Sequence, residues 1–173
     1  MMSAMKNEDE AQAGQEADGI AEYLRHWPGL YMRQGDKIVE ALPEDVVVAK
    51  TYPTAKVKGR AVGGIRLTIL TKKTCYRVNE EVRVIHVMEV IEPGHKMFVM
   101  GPKQVYGEYV DGKLVTPEAH PQQVYDGLVL DSPNVDYNYD ITTYSFDTPG
   151  RHEIYWQVGE VRSNKLELDV VES

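Results

Sequence analysis

After Gly64, apolar residues recur at every second position, and this period runs through the rest of the chain. Side chains two apart share one face of a strand, so Leu67 and Ile69 mark one strand. Val82, Val84, His86, Met88 and Val90 mark one face of a longer one, opposite the mixed set Arg83, Ile85, Val87, Glu89 and Ile91. Residues 97–100, 105–110, 113–115, 125–130, 141–146, 152–158 and 165–171 continue the series. In the last two, His152, Ile154, Trp156 and Val158 point inward, as do Leu166, Leu168 and Val170. Glu153, Gln157, Lys165, Glu167 and Asp169 point outward. Asp111-Gly112 lies between two strand-like runs and is a strong hairpin signal. No amphipathic helix interrupts the run. Many short strands with turn signals about every ten residues predict an antiparallel β-sandwich and exclude a parallel α/β sheet.

Upstream the pattern changes. Residues 1–19 have almost nothing to bury and read as a disordered acidic tail. Ile20, Tyr23, Leu24 and Trp27 fall on one face of a short helix, which Pro28 and Gly29 would stop. Residues 30–42 read as a hairpin around Gly35-Asp36, and Val46-Val47-Val48 as a further strand. Residues 56–64, rich in glycine and charge, connect to the main domain. The predicted organisation is a tail over 1–19, a helix-plus-hairpin segment over 20–60 and a sandwich over 61–173.

Three stretches resemble a known family. Asp147-Thr148-Pro149-Gly150-Arg151-His152-Glu153-Ile154-Tyr155-Trp156 and Ser163-Asn164-Lys165-Leu166-Glu167-Leu168-Asp169-Val170 look like the last two strands of bacterial immunoglobulin-like domains. Tyr76-Arg77-Val78-Asn79-Glu80-Glu81-Val82 resembles that family's entry into the second strand. The resemblance implies an all-β, Ig-like sandwich. It also implies that His152 replaces the aromatic residue anchoring the corner before the penultimate strand, and that Ile154 stands where antibody-type domains carry a cysteine. Pro28-Gly29-Leu30-Tyr31, with its following turn and strand, resembles an element of bacterial envelope and secreted modules. Residues 93–139 match no family pattern, and Ig-like modules host many functions.

Composition narrows the partners. The 173 residues suffice for a self-supporting core. A formal charge of −8, with 27 acidic against 19 basic residues, argues against nucleic acid as a partner. Cys75 is the only cysteine, so no intrachain disulfide forms. No apolar run approaches a membrane span and residues 1–18 hold no apolar leader core, so the chain reads as soluble. An envelope or secreted location follows only if a leader has been removed.

Three constellations carry candidate chemistry. His86-Val87-Met88 and His95-Lys96-Met97 each place an imidazole and a thioether on one strand face, a donor set that suits copper. The competing reading has His86 and Met88 in the core and His95 in a turn. Asp131, Asn134, Asp136, Asn138 and Asp140 offer oxygen ligands for calcium, but without EF-hand spacing; a loop held by Asx turns reads equally. Tyr106, Tyr109, Tyr137 and Tyr139 sit in the unmatched middle region, where tyrosine suits contact with a protein or glycan. Tyr137 and Tyr139 are expected to be exposed there. No nucleophile–base pair or carboxylate pair stands out, so no enzymatic activity is expected. The expected function is a non-catalytic module recognising a protein or glycan. The alternatives are a copper- or calcium-binding sandwich and a spacer with no ligand.

Overall fold

The computed structural model describes residues 29–94, 96–99, 102–117, 128–131 and 134–172, and these are mostly β. The tail at 1–19 and the helix expected at 20–27 lie outside the described residues. The expected hairpin is present as β1 (Tyr31–Gln34) and β2 (Lys37–Glu40), turning through Gly35 at φ 63°. Val46-Val47-Val48 depart from expectation: they lie in helix α1 (Pro43–Lys50), which follows the hairpin. Valine favours strands, yet local chemistry starts a helix here. Pro43 occupies the first helical position, Glu44 and Asp45 fall in the first turn, and Asp45 accepts the Leu42 N–H at 3.1 Å. Arg83 then fixes α1 from outside, its Nε and Nη2 donating to Asp45 at 3.0 and 2.9 Å. A 3-10 turn, Tyr52–Thr54, closes the segment.

The strands that follow are β3 (Ile65–Leu70), β4 (Cys75–Arg77), β5 (Val82–Val90), β6 (Lys96–Val99), β7 (Glu108–Val110) and β8 (Lys113–Leu114). After them come β9 (Leu128–Asp131), β10 (Asn134–Asp136), β11 (Thr142–Tyr144), β12 (Gly150–Val158), β13 (Val161–Arg162) and β14 (Leu166–Val171). The first main sheet is centred on β5, which pairs antiparallel with β3 on one edge and with β10 and β11 on the other. Asp136 opposes Met88 and Thr142 opposes Val84, so five residues, 137–141, stand against three, 85–87. That bulge bends the strand and re-aims its side chains. The second main sheet runs β4-β14-β12-β7-β8, with β13 on β12. Its pairs are antiparallel except β4 with β14. β6 and β9 form a separate pair.

The two main sheets face each other across one core. Leu67, Ile69, Val82 and Val84 meet Ile154, Trp156, Leu168 and Val170 there. The other face of β5 is also covered. Ile85 and Val87 pack with Leu30, Ala49, Tyr52 and Tyr137 in a second cluster, so the hairpin and α1 form a third layer. This accounts for the mixed set on that face: Ile85 and Val87 are core. Glu89 is buried with them and satisfied by the Tyr52 hydroxyl at 2.5 Å and Arg66 at 3.1 Å.

Candidate functional site

Two of the four singled-out tyrosines belong to the interior. Tyr137 is 1% exposed and meets Tyr52 edge-on at 6.0 Å, so the expectation that it lies at the surface is corrected. Tyr139, half-buried, sets its ring against Trp156 at 5.0 Å and donates its hydroxyl to the Met88 sulfur at 3.6 Å. The cause is the bulge at 137–141, which turns these rings inward. Tyr106 is half-buried, with its hydroxyl 3.3 Å from the Gln104 side chain. Tyr109 alone of the four faces outward from the centre of a strand.

Of the candidate metal ligands, His86 and Met88 have described side chains, and both are engaged with neighbours in the core. His86 is 1% exposed, with Nε2 donating to the Glu108 carboxylate and its ring edge-on to Trp156 at 5.0 Å. Glu108 also accepts the hydroxyls of Thr142, at 2.5 Å, and Tyr144. Burial alone would raise the Glu108 carboxyl, but the His86 ring and the two hydroxyls hold it below the usual range. Burial and the Glu108 charge push the Tyr144 phenol up. Met88 serves the core as Tyr139's acceptor. Met97 stands opposite Leu130 on β6, and His95 lies outside the described residues.

Part of the stretch expected as a calcium-binding loop is strand. Asn134 and Asp136 form β10, and Asp136 is fully buried against the Lys103 ammonium. Burial raises the Asp136 carboxyl while Lys103 pulls it down. Asp140 turns to Arg33 at 3.5 Å, and Asn134 bonds the Val135 N–H. Among the described residues no group of three or more His, Cys, Asp or Glu side chains is placed to hold a metal ion.

What does face solvent is an aromatic stack on the second sheet. Inward Ile154 and Trp156 force Tyr155 outward by simple alternation. Register places Tyr109 of β7 directly beside it, and the rings stack at 4.8 Å with planes 10° apart. On the far side, the Arg162 guanidinium covers the Tyr155 ring at 4.4 Å. Gln157 Oε1 accepts both Arg162 Nε, at 3.1 Å, and Nη2, at 2.9 Å. Leu114, across from Tyr109 on β8 and 37% exposed, extends the apolar area. Tyr155, Gln157 and Arg162 were not singled out by sequence reasoning; the strict alternation along β12 was the signal for Tyr155.

A cleft of about 190 Å³ lies between α1, the β3–β4 loop and the start of β5. Its charged groups pair with one another: Lys72 with Glu44 at 3.0 Å, Lys73 with Glu80 at 2.5 Å and Arg83 with Asp45 at 2.9 Å. Among the described residues no helix is long and apolar enough to cross a membrane. Compared with protein-family models, curated proteins and solved structures, the chain matches none of them.

Proposed function

We propose that this chain is a non-catalytic recognition module of Ig-like type whose contact surface is the outer face of the second sheet, and that its partner is a protein. The observation that carries the reading is the Tyr109–Tyr155–Arg162 ladder. The outer face of an antiparallel sheet is ordinarily polar, and the core beneath is complete without these rings. Tyrosine and arginine held rigid on a strand surface are the residue types that dominate protein contacts, because little side-chain entropy remains to be lost on binding. A glycan fits less well. A sugar ring stacks on an open aromatic face, and both faces of Tyr155 are taken, one by Tyr109 and the other by Arg162.

Three local structures support the Ig-like part of this reading. His152 donates from Nε2 to the Thr148 carbonyl, four residues upstream, at 2.8 Å, and its ring lies on Phe146 at 4.1 Å. That is the tie a corner aromatic makes in Ig domains. Asn79 adopts φ 64°, as the asparagine-or-glycine position of the resemblance requires. Asn164 bonds across to β3, joining the two sheets at the Ser-Asn pair.

A displayed random-peptide library selected on the protein and counter-screened on Tyr155→Ala tests the function, with a glycan array run in parallel. Peptides enriched on the wild type and lost on the variant are the expected outcome. Peptides retained equally by both, or glycan binding indifferent to the substitution, would overturn it.

A further inference from the structure

Charge on the outer face of the second sheet is not evenly neutralised. Toward the Gly150 end of β12, Arg151 lies 3.5 Å from Glu167 and 3.4 Å from Asp169, and Lys165 lies 3.5 Å from Glu153. Arg151 and Lys165 are thus each set against a carboxylate. At the opposite end Arg162 is different. Its guanidinium is held by a neutral amide, Gln157, and by the π face of Tyr155, and no carboxylate among the described residues pairs with it. It is exposed, and Tyr155 stands between it and the apolar surface of Tyr109 and Leu114.

Gln157 itself is fixed, its Nε2 donating to the Gly159 carbonyl at 3.1 Å, so the guanidinium is oriented before any partner arrives. Only Nε and Nη2 are used by Gln157, and the remaining guanidinium N–H groups have no acceptor among the described residues. A guanidinium fork prefers a planar carboxylate to any neutral acceptor. The chain carries a net charge of −8, so an acidic partner is drawn to it only locally, beside an exposed cation such as Arg162.

Resting on the recognition reading above, we infer that this face takes an acidic protein segment, one carboxylate of which seats on Arg162 while an apolar side chain from the same face of the segment lies against Tyr109 and Leu114. The shape is that of a short extended stretch in which Glu or Asp and Leu or a similar residue stand two or four positions apart, since side chains at even spacing share a face. A fully acidic stretch would lack the apolar contact, and a fully apolar one would leave the guanidinium covered without a partner, at a desolvation cost.

The probes are acetyl-Glu-Ser-Leu-Ser-Leu-amide and its counterpart with Glu replaced by Gln, each titrated into uniformly ¹⁵N-labelled full-length protein. The acidic peptide is expected to shift amide signals of β7, β12 and β13, and to do so less as ionic strength rises. Arg162→Gln should weaken this at least about tenfold, one carboxylate–guanidinium contact. Arg162→Lys, which keeps the charge but not the fork, should fall between the two. Arg162 is exposed, and unchanged amide spectra away from β13 establish that its variants fold. Shifts by the acidic peptide that survive Arg162→Gln, or no shifts at all, overturn the inference. Equal shifts by both peptides that vanish in Tyr155→Ala overturn the preference for acid while leaving the recognition face standing.

Discussion

The side-chain amide of Asn164 pairs with both backbone groups of Ile69: its Oδ1 accepts the Ile69 N–H at 2.8 Å and its Nδ2 donates to the Ile69 carbonyl at 3.0 Å. An asparagine thus does for the edge of β3 what a neighbouring strand would, and it spans the two sheets. Next to it, Ser163 accepts the Trp156 N–H at 2.8 Å through its hydroxyl, so the Ser-Asn pair closes polar groups on both sheets. Replacing Asn164 with alanine leaves a part-buried donor and acceptor unmatched, at a cost of about 2–3 kcal/mol. For a chain of this size the thermal midpoint should fall by roughly 5–10 °C. Differential scanning calorimetry measures it; a fall within error would show that water replaces the amide without loss.

Glu108 and His86 form a buried charged network with Thr142 and Tyr144. Removing one partner strands the rest, so Glu108→Ala should destabilise by about 3–5 kcal/mol, more than most core truncations of similar size. The folded carboxyl is held below its ordinary value, so its contribution is complete above the unfolded value of about 4.3 and is lost as pH falls through the folded one. Urea unfolding at neutral pH and in acid should show the wild type approaching the variant as pH drops. A constant difference between them would exclude this ionisation.

His152 gives the opposite slope. Burial opposes its positive charge, but Asp111 at 2.6 Å and the Thr148 carbonyl at 2.8 Å outweigh burial and raise its pKa above the ordinary histidine value. A raised folded value means that the stabilisation is complete below about pH 6.5 and is lost as pH rises through the folded value. The thermal midpoint of the wild type should therefore decline above about pH 6.5 relative to His152→Phe, which keeps the contact with Phe146 but cannot titrate. Parallel curves for the two proteins would remove His152 from the account.

How much of this could be read in the sequence follows from how local each cause is. Strict alternation around Ile154 and Trp156 and around Leu168 and Val170 specified the last strands, because one face of each is buried and the other is wet. Asp111-Gly112 specified its hairpin, since both residues adopt positive φ, 50° and 80°. Val46-Val47-Val48 misled because strand propensity was set against Pro43, Asp45 and a distant Arg83, and the last of these is visible only in three dimensions. Asn134 and Asp136 looked like loop because burial of Asp136 depends on Lys103, 33 residues away. The proposed recognition face was half legible. Tyr109 was named; Tyr155 and Arg162 join it only through the registers of β12 with β7 and β13.

The central claim is that the Tyr109–Tyr155–Arg162 face recognises a protein segment. Stability must first be separated from binding: a cross-strand aromatic pair contributes at most about 1 kcal/mol to the sheet, so Tyr155→Ala should stay folded with a thermal midpoint lowered by only a few degrees. The most direct measurement is then the peptide selection on wild type against this folded variant. The account predicts a family of peptides that binds the wild type and is lost on Tyr155→Ala. Peptides that bind both proteins equally, with the variant folded, would contradict it.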